Sequence, residues 1–326
     1  MNNSIISVPI SVLLVTWNNS IYFAKCLDCL TTQTIKNFEI IIVDNGSTDG
    51  FINKLENRWA ELDIHIVRLD SNLGFAVANN IGARLARGKY LALLNADAFP
   101  EPDWLEQLMK ASEDNSDFTF FSSRQIQANT PDLLDGTGDT YHVSGLAWRQ
   151  NYNRPTSENG FQSGEVFSAC AAAALYSRDD FLRVGGFDED YFSYFEDVDL
   201  SFRLRLIGGR CLYVPQAVVY HVGSASTGTD SDFSIYHGYR NLVWTFFKDM
   251  PISLFWIYLP RHLLMILYKS AVFLIRRKRG IILRSQIDAF RALPAILRKR
   301  KQVQRSRKVS SKEIQRVMTK FPFIPR

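Results

Sequence analysis

Four segments put carboxylates, amides or imidazole where they could do chemistry. The densest is GGFDEDYFSYFEDVDLSFRLRLIG, residues 185–208, with Asp188, Glu189, Asp190, Glu196, Asp197 and Asp199 inside twelve positions. Glu196 and Asp197 open a predicted helix, where the helix dipole favours negative charge. A carboxylate held there in a cleft can take a proton from a substrate hydroxyl. The alternative is capping plus a solvated acidic face, with Arg203 and Arg205 as partners. In LLNADAFP, Asn95 and Asp97 fall on one side if strand geometry continues. A carboxylate beside an amide oxygen suits a hard divalent cation bound together with phosphates. VDNGSTDG places Asp44 at the carboxyl end of an apolar run, the edge where open α/β sheets bind ligands. A strand-to-helix turn with a polar cap would read the same way. In VVYHVGSAS, His221 could ligate a metal as neutral imidazole or be structural.

The elements that must carry these residues alternate regularly. ISVLLVTW (10–17), FEIIIVD (38–44), IHIVRL (64–69) and KYLALLN (89–95) are apolar runs of the kind buried parallel strands show. Residues 20–33 and 75–87 have helical spacing, and Pro102 opens another helix that runs to about 116. This alternation predicts an open parallel sheet with helices on both faces. Residues 118–176 read as mixed sheet plus loops. Helices follow at 178–184 and 196–206, each ended by a Gly pair. CLYVP and AVVYHV read as two short strands, and 234–248 as a helix.

Of the 326 residues, 46% are hydrophobic and 22% charged, which supplies a core and excludes global disorder. The net charge of +5 hides an asymmetry: residues 1–250 carry −12 and residues 251–326 carry +17. A tail so basic seeks an anionic surface, membrane lipid or nucleic acid. Residues 252–275 form the most apolar window, but Pro260, Arg261, His262 and Lys269 interrupt it. A charge at mid-bilayer costs about 2.5–3.5 kcal/mol on insertion scales. One or two interfacial helices, anchored by Trp256, Tyr258 and Tyr268, are expected rather than a span or a buried core helix. A basic cluster follows at 276–279. Residues 285–301 add a second basic amphipathic pattern, with Ile287, Phe290, Leu293 and Leu297 on one face. Aromatics beside aliphatics favour lipid over base stacking, so no nucleic-acid partner is expected. Cys26, Cys29, Cys170 and Cys211 lack zinc spacing and are expected as reduced thiols. The first residues have no basic segment or cleavage site, so a cytoplasmic setting is expected.

In order and spacing, PISVLLVTWNNS, VDNGSTDG, NLGFAVANNIG (72–82), LLNADAFP, GGFDEDYFSYFEDVDLSFR and YHVGSAS resemble the family-2 glycosyltransferases of the GT-A fold. Within that family, they resemble a bacterial rhamnosyltransferase-like branch. The resemblance covers about 9–248. It implies an α/β GT-A catalytic domain over 1–250, with a nucleotide-sugar half of about 1–125 and an acceptor half of about 126–250. Residues 251–326 would be a basic, membrane-associating helical tail. By analogy Asp44 contacts the nucleobase, with Thr16 and Trp17 nearby, and Asn72 and Asn79 line the ribose and phosphates. Asn95-Ala96-Asp97 stands at the DxD position with its first Asp replaced, which leaves Asp97 most of the metal binding and His221 as a second ligand. Asp197, paired with Glu196, matches the catalytic base. Residues 135–138 and 168–171 would shape the acceptor pocket. Arg240 and Asn241, in YHGYRN, could hold an acceptor phosphate or belong to a plain helix surface.

The implied reaction is one in-line displacement that inverts the anomeric centre, assisted by Mg or Mn. No Ser–His or Cys–His arrangement demands a covalent intermediate. The expected transfer is of L-rhamnose from dTDP-rhamnose to a polysaccharide or undecaprenyl-diphosphate-linked acceptor. It would take place at the inner face of the cell membrane. A UDP-sugar donor and a catalytically silent sugar-nucleotide or glycan-binding module are the alternatives, and a homodimer is left open. A sugar nucleotidyltransferase would want a Gly-rich phosphate loop that VTWNNS lacks.

Overall fold

The computed structural model describes residues 8–55, 58–223, 231–275 and 279–320. Residues 224–226 of the YHVGSAS motif and most of the 276–279 basic cluster lie outside the described residues. The first half runs β1 (Ile10–Thr16), α1 (Ser20–Thr31), β2 (Phe38–Asp44), β3 (Asp63–Arg68), α2 (Phe75–Leu85), β4 (Tyr90–Asn95), β5 (Ala98–Pro100) and α3 (Trp104–Asp114). The second half adds β6 (Phe120–Gln127), β7 (Leu134–Gly136), β8 (Asp139–Tyr141), β9 (Ala147–Arg149), β10 (Gly164–Val166), β11 (Ala173–Ser177), α4 (Arg178–Arg183), α5 (Glu196–Leu206) and β12 (Cys211–His221). The chain then becomes helical through α6 (Asp232–Asp249), α7 (Ile252–Ile275), α8 (Arg279–Arg291), α9 (Leu293–Ser306) and α10 (Ser311–Val317).

The main sheet has the order β10-β12-β6-β11-β4-β1-β2-β3. Strands β3, β2, β1 and β4 are parallel, and β11 enters antiparallel between β4 and β6. Because side chains alternate along a strand, Val12 and Leu14 pack under α1 and α3, while Leu13, Ile41 and Leu93 pack under α2, α4 and α5. Cover on both faces is why these strands read as unbroken apolar runs. The chain leaves β1 toward β2 and β3, then returns to β4 on the other side. A crevice therefore opens at the carboxyl ends of β1 and β4, where such sheets bind ligands. Gly88, just before β4, runs against β1: a Cβ there would come within 2.5 Å of the Ser11 nitrogen. The four cysteines are free thiols.

Three expectations are corrected. The 64–69 segment is an edge strand and largely exposed, not buried. Asp63 and Arg68 on it are the charged kind that blunts an open edge. CLYVP and AVVYHV are one eleven-residue strand, β12, which absorbs Pro215 in an irregularity between Val214 and Val218. The 285–301 pattern is split between α8 and α9, with Pro294 in the first turn of α9.

The C-terminal helices pack back onto α6. Ile282, Ala289 and Ile296 are buried, and the Trp244 indole donates to the Ala289 carbonyl at 3.1 Å. Thr319 exchanges backbone bonds with Tyr141 and Val143 beside the small β8–β9 sheet. The face carrying Ile287, Phe290 and Leu297 stays exposed, as do Trp256, Ile257, Leu264, Leu267 and Tyr268 on α7. Among the described residues, no helix is long and apolar enough to cross a membrane.

Candidate active site

A cavity of about 980 Å³ opens at the carboxyl ends of β1 and β4. Asp97, Asp197 and His221, distant in sequence, all line it, together with Trp17, Asn72, Asn95 and Glu196. Backbone pairing creates part of this convergence. β5 pairs antiparallel with β12, setting Ala98 opposite His221, and Val222 N–H donates to the Asp97 carbonyl at 3.1 Å. The imidazole therefore arrives beside the carboxylate: Nε2 lies 3.5 Å from Asp97 Oδ1 and 3.4 Å from the Asn95 amide nitrogen.

The other ring nitrogen is fixed by a residue assigned from sequence only to the acceptor pocket. His221 Nδ1 is 2.8 Å from Asp135 Oδ2, and Asp135 is in turn paired with Arg149. Burial would raise the Asp135 carboxyl, but the Arg149 and His221 charges outweigh it and hold it at about 2. Burial lowers the His221 imidazole, yet bonds to Asp135 and Asp97 carry it above its ordinary value. With Asp135 taking Nδ1, the lone pair or proton on Nε2 faces Asp97 and the cavity.

Asp197 sits half-buried in the first turn of α5. Val198 N–H at 2.8 Å and Ala171 N–H at 3.3 Å hold its carboxylate. Desolvation raises its pKa despite those bonds, which strengthens it as a base. Burial and then the Asp197 charge raise Glu196, and its Oε2 is buried without a hydrogen-bond partner among the described residues. Arg203 pairs with Asp199 at 2.6 Å and Arg205 with Glu165 at 2.9 Å, so neither neutralises the Glu196–Asp197 pair. Asp139, absent from the sequence candidates, also lines the cavity; burial and the Asp197 charge push it up to about 8.

Four sequence candidates stand off the cavity lining. Thr16 is buried at the end of β1, its carbonyl taken by Asn45 N–H at 2.9 Å. Asp44 Oδ1 accepts from Ser47 N–H at 3.0 Å, closing the turn after β2. Asn79 is buried and bonds back to the Phe75 carbonyl of its own helix at 2.9 Å. Arg240 donates to the carbonyls of Asp190 and Tyr191, each at 3.1 Å, and lies over the Trp244 ring. Asn45, which sequence reading passed over, lines the cavity and ties Asn72, Leu73 and Gly74 into the loop below the crevice. Its position one residue past a buried strand end was the available signal.

A second group of metal-capable side chains, Glu39, Asp63 and His65, lies at the opposite, amino-terminal ends of β2 and β3. The Arg87 guanidinium already bonds Glu39 at 2.7 Å and Asp63 at 2.8 Å there.

Comparison with known proteins places this geometry. The profile described as Glycosyl transferase family 2 matches residues 11–185. The chain is 29% identical over 166 residues to "Putative glycosyltransferase EpsH" of Bacillus subtilis, covering 46% of this chain and 48% of that protein. It is 28% identical over 246 residues to N-acetylglucosaminyl-diphospho-decaprenol L-rhamnosyltransferase of Mycobacterium tuberculosis, covering 67% and 78%. GalNAc-T7, solved with UDP, GalNAc and Mn2+, superposes with a TM-score of 0.59 at 18% identity, over 73% of this chain and 47% of that one. The chain thus spans about half the length of EpsH and of GalNAc-T7. With over half its residues matched and its sheet and helices in the GT-A arrangement, the chain belongs to glycosyl transferase family 2.

Proposed function

We propose that the chain transfers a sugar from a nucleotide diphosphate donor to an acceptor hydroxyl, with inversion at the anomeric carbon. The observation that carries this is the convergence of Asp97, Asp197 and His221 on one cavity at the sheet's ligand-binding edge. Asp97 and His221 Nε2, with the Asn95 amide beside them, form a mixed oxygen and nitrogen donor set. That set fits a divalent Mg or Mn ion that also takes phosphate oxygens. Such an ion, when bound, supplies Lewis-acid stabilisation of the departing diphosphate. Asp197 accepts the acceptor hydroxyl's proton as that oxygen attacks, its carboxylate aimed by the Ala171 and Val198 amides. Glu196, whose buried Oε2 has no hydrogen-bond partner among the described residues, is suited to hydrogen-bond a sugar hydroxyl. Trp17 and Asn72 line the donor side of the cavity.

The Mycobacterium tuberculosis relative, named as an L-rhamnosyltransferase acting on N-acetylglucosaminyl-diphospho-decaprenol, supports L-rhamnose as the transferred sugar and a polyprenyl-diphosphate-linked sugar as the acceptor; dTDP-rhamnose as donor and an undecaprenyl lipid are our own extension of that reading. A UDP-sugar donor is the second reading, favoured by the UDP held in GalNAc-T7. Residues 251–326 would bring the cavity to an anionic membrane face, because exposed apolar rows on α7 and α8 lie in a segment of net charge +17. Turnover of a nucleotide-sugar panel, with and without Mn2+, tests the reading. Asp197→Asn is expected to bind donor normally and lose turnover. Equal turnover in that variant would overturn the base assignment.

A further inference from the structure

The segment that delivers Glu196 and Asp197 is strained. Phe192, Tyr194 and Phe195 have φ of 65°, 67° and 69°, a left-handed backbone that bulky side chains avoid. Phe195 is the residue before α5 and makes no side-chain cap bond. Helices commonly fix their first turn with a Ser, Thr, Asp or Asn cap. Here nothing of that kind anchors the start, so the place of Glu196 and Asp197 depends on how the preceding loop is held. Such strain persists only where surrounding structure over-determines it.

One side chain meets three of that loop's carbonyls. The Asn241 amide nitrogen lies 3.0 Å from the Tyr191 carbonyl, 3.1 Å from Ser193 and 2.7 Å from Tyr194. Asn241 is fully buried in α6, and its Oδ1 accepts from Arg240 Nε at 2.9 Å. Three carbonyls on one side and a guanidinium on the other leave the amide one orientation. Arg240 adds its bonds to the Asp190 and Tyr191 carbonyls. From the opposite side, Ala76 N–H donates to the Phe192 carbonyl at 3.3 Å. Gly74 is hydrogen-sided where a Cβ would come within 2.7 Å of the Phe192 ring.

We infer that Asn241 is a positioning residue for the transfer: its amide clamps the left-handed loop and thereby sets Asp197 against the acceptor. Arg240 is the outer half of the same clamp. This rests on the reading of Asp197 as the base. The test uses the full chain carrying Asn241→Leu, which keeps the volume and removes the N–H donors, and Asn241→Asp, which keeps the shape. Misplacing a reacting group by about 1 Å costs on the order of 100-fold in rate. Both variants are expected to lose about 100-fold in kcat, with the donor KM and the nucleoside diphosphate Kd within about threefold of wild type. Hydrogen exchange should accelerate in peptides covering 190–198 and stay unchanged in those covering β1 and β4. Should the Asn241 variants not fold, Arg240→Gln loosens the same loop from its partly exposed side and should show the same local exchange with a smaller loss of kcat. Wild-type kcat in Asn241→Leu, or exchange that accelerates uniformly across the chain, would overturn the inference. Full turnover in Asp197→Asn with local loosening in Asn241→Leu would instead overturn the base reading and leave the clamp standing.

Discussion

Asp139 gives a test that needs no substrate. It is buried at the start of β8, faces Asp197, and lies near Arg149 and Asp135; the Ser168 hydroxyl bonds it. Burial and the Asp197 charge push its carboxyl up to about 8. In the unfolded chain an Asp titrates near 3.9. Between pH 5 and 7 the folded protein therefore holds a proton on Asp139 that the unfolded chain has released. Stability from this group falls as pH rises, by about 1 kcal/mol per pH unit. Asp139→Asn keeps an oxygen for Ser168 and removes the titration. Urea unfolding at pH 5, 6 and 7 should show the variant gaining on wild type as pH rises, by about 1 kcal/mol per pH unit. Parallel pH dependences for the two proteins would show that Asp139 is ionised in the fold and would refute its retention of a proton beside Asp197.

Asp135→Asn should weaken Mn2+ binding about 10- to 100-fold by calorimetry, because the imidazole it orients loses its charged partner; unchanged affinity would count against Asp97 and His221 as an oriented pair. Lys248→Met should cost about 3–5 kcal/mol in denaturant unfolding. It strips the buried ammonium from Asp199 and from Asp188 at 2.6 Å, and a variant as stable as wild type would refute that role. Replacing Trp256, Leu264 and Tyr268 together by Ser should release the protein from anionic vesicles while leaving turnover of a soluble acceptor intact. Undiminished sedimentation with vesicles would remove the membrane role of α7.

What could be read in the sequence was whatever a single segment announces. Doubly covered strands produce apolar runs, and the polar residues ending them, Asn95, Asp97 and His221, mark the ligand edge. Helix α5 was equally legible, since its acidic first turn and terminal glycines are local. Partnerships between remote segments were not. Asp135 meets His221 across 86 positions, and Asn241 reaches carbonyls about 50 positions away. Arg240 could be read from sequence as an acceptor-phosphate ligand or as a plain helix-surface residue, and the carbonyls of Asp190 and Tyr191 that it bonds could be foreseen from neither. Neighbouring amides show the same limit. Asn79 folds back on its own helix, while Asn80 spans to both backbone groups of Phe187. In α8 an apolar residue could face inward or outward, and only packing on α6 decided that Ile282 and Ala289 went in.

The pairing of β5 with β12 gives the candidate cation site an all-or-none character. Its carboxylate and its imidazole come from opposite halves of the chain and meet because residue 221 is aligned with residue 98. Sliding β12 by a single position would turn the imidazole to the other face of the sheet. A chain that has assembled only its first four parallel strands possesses the carboxylate but no site. Competence to hold an ion therefore arrives with the last strand, and an ion held there would in turn fasten that strand in place.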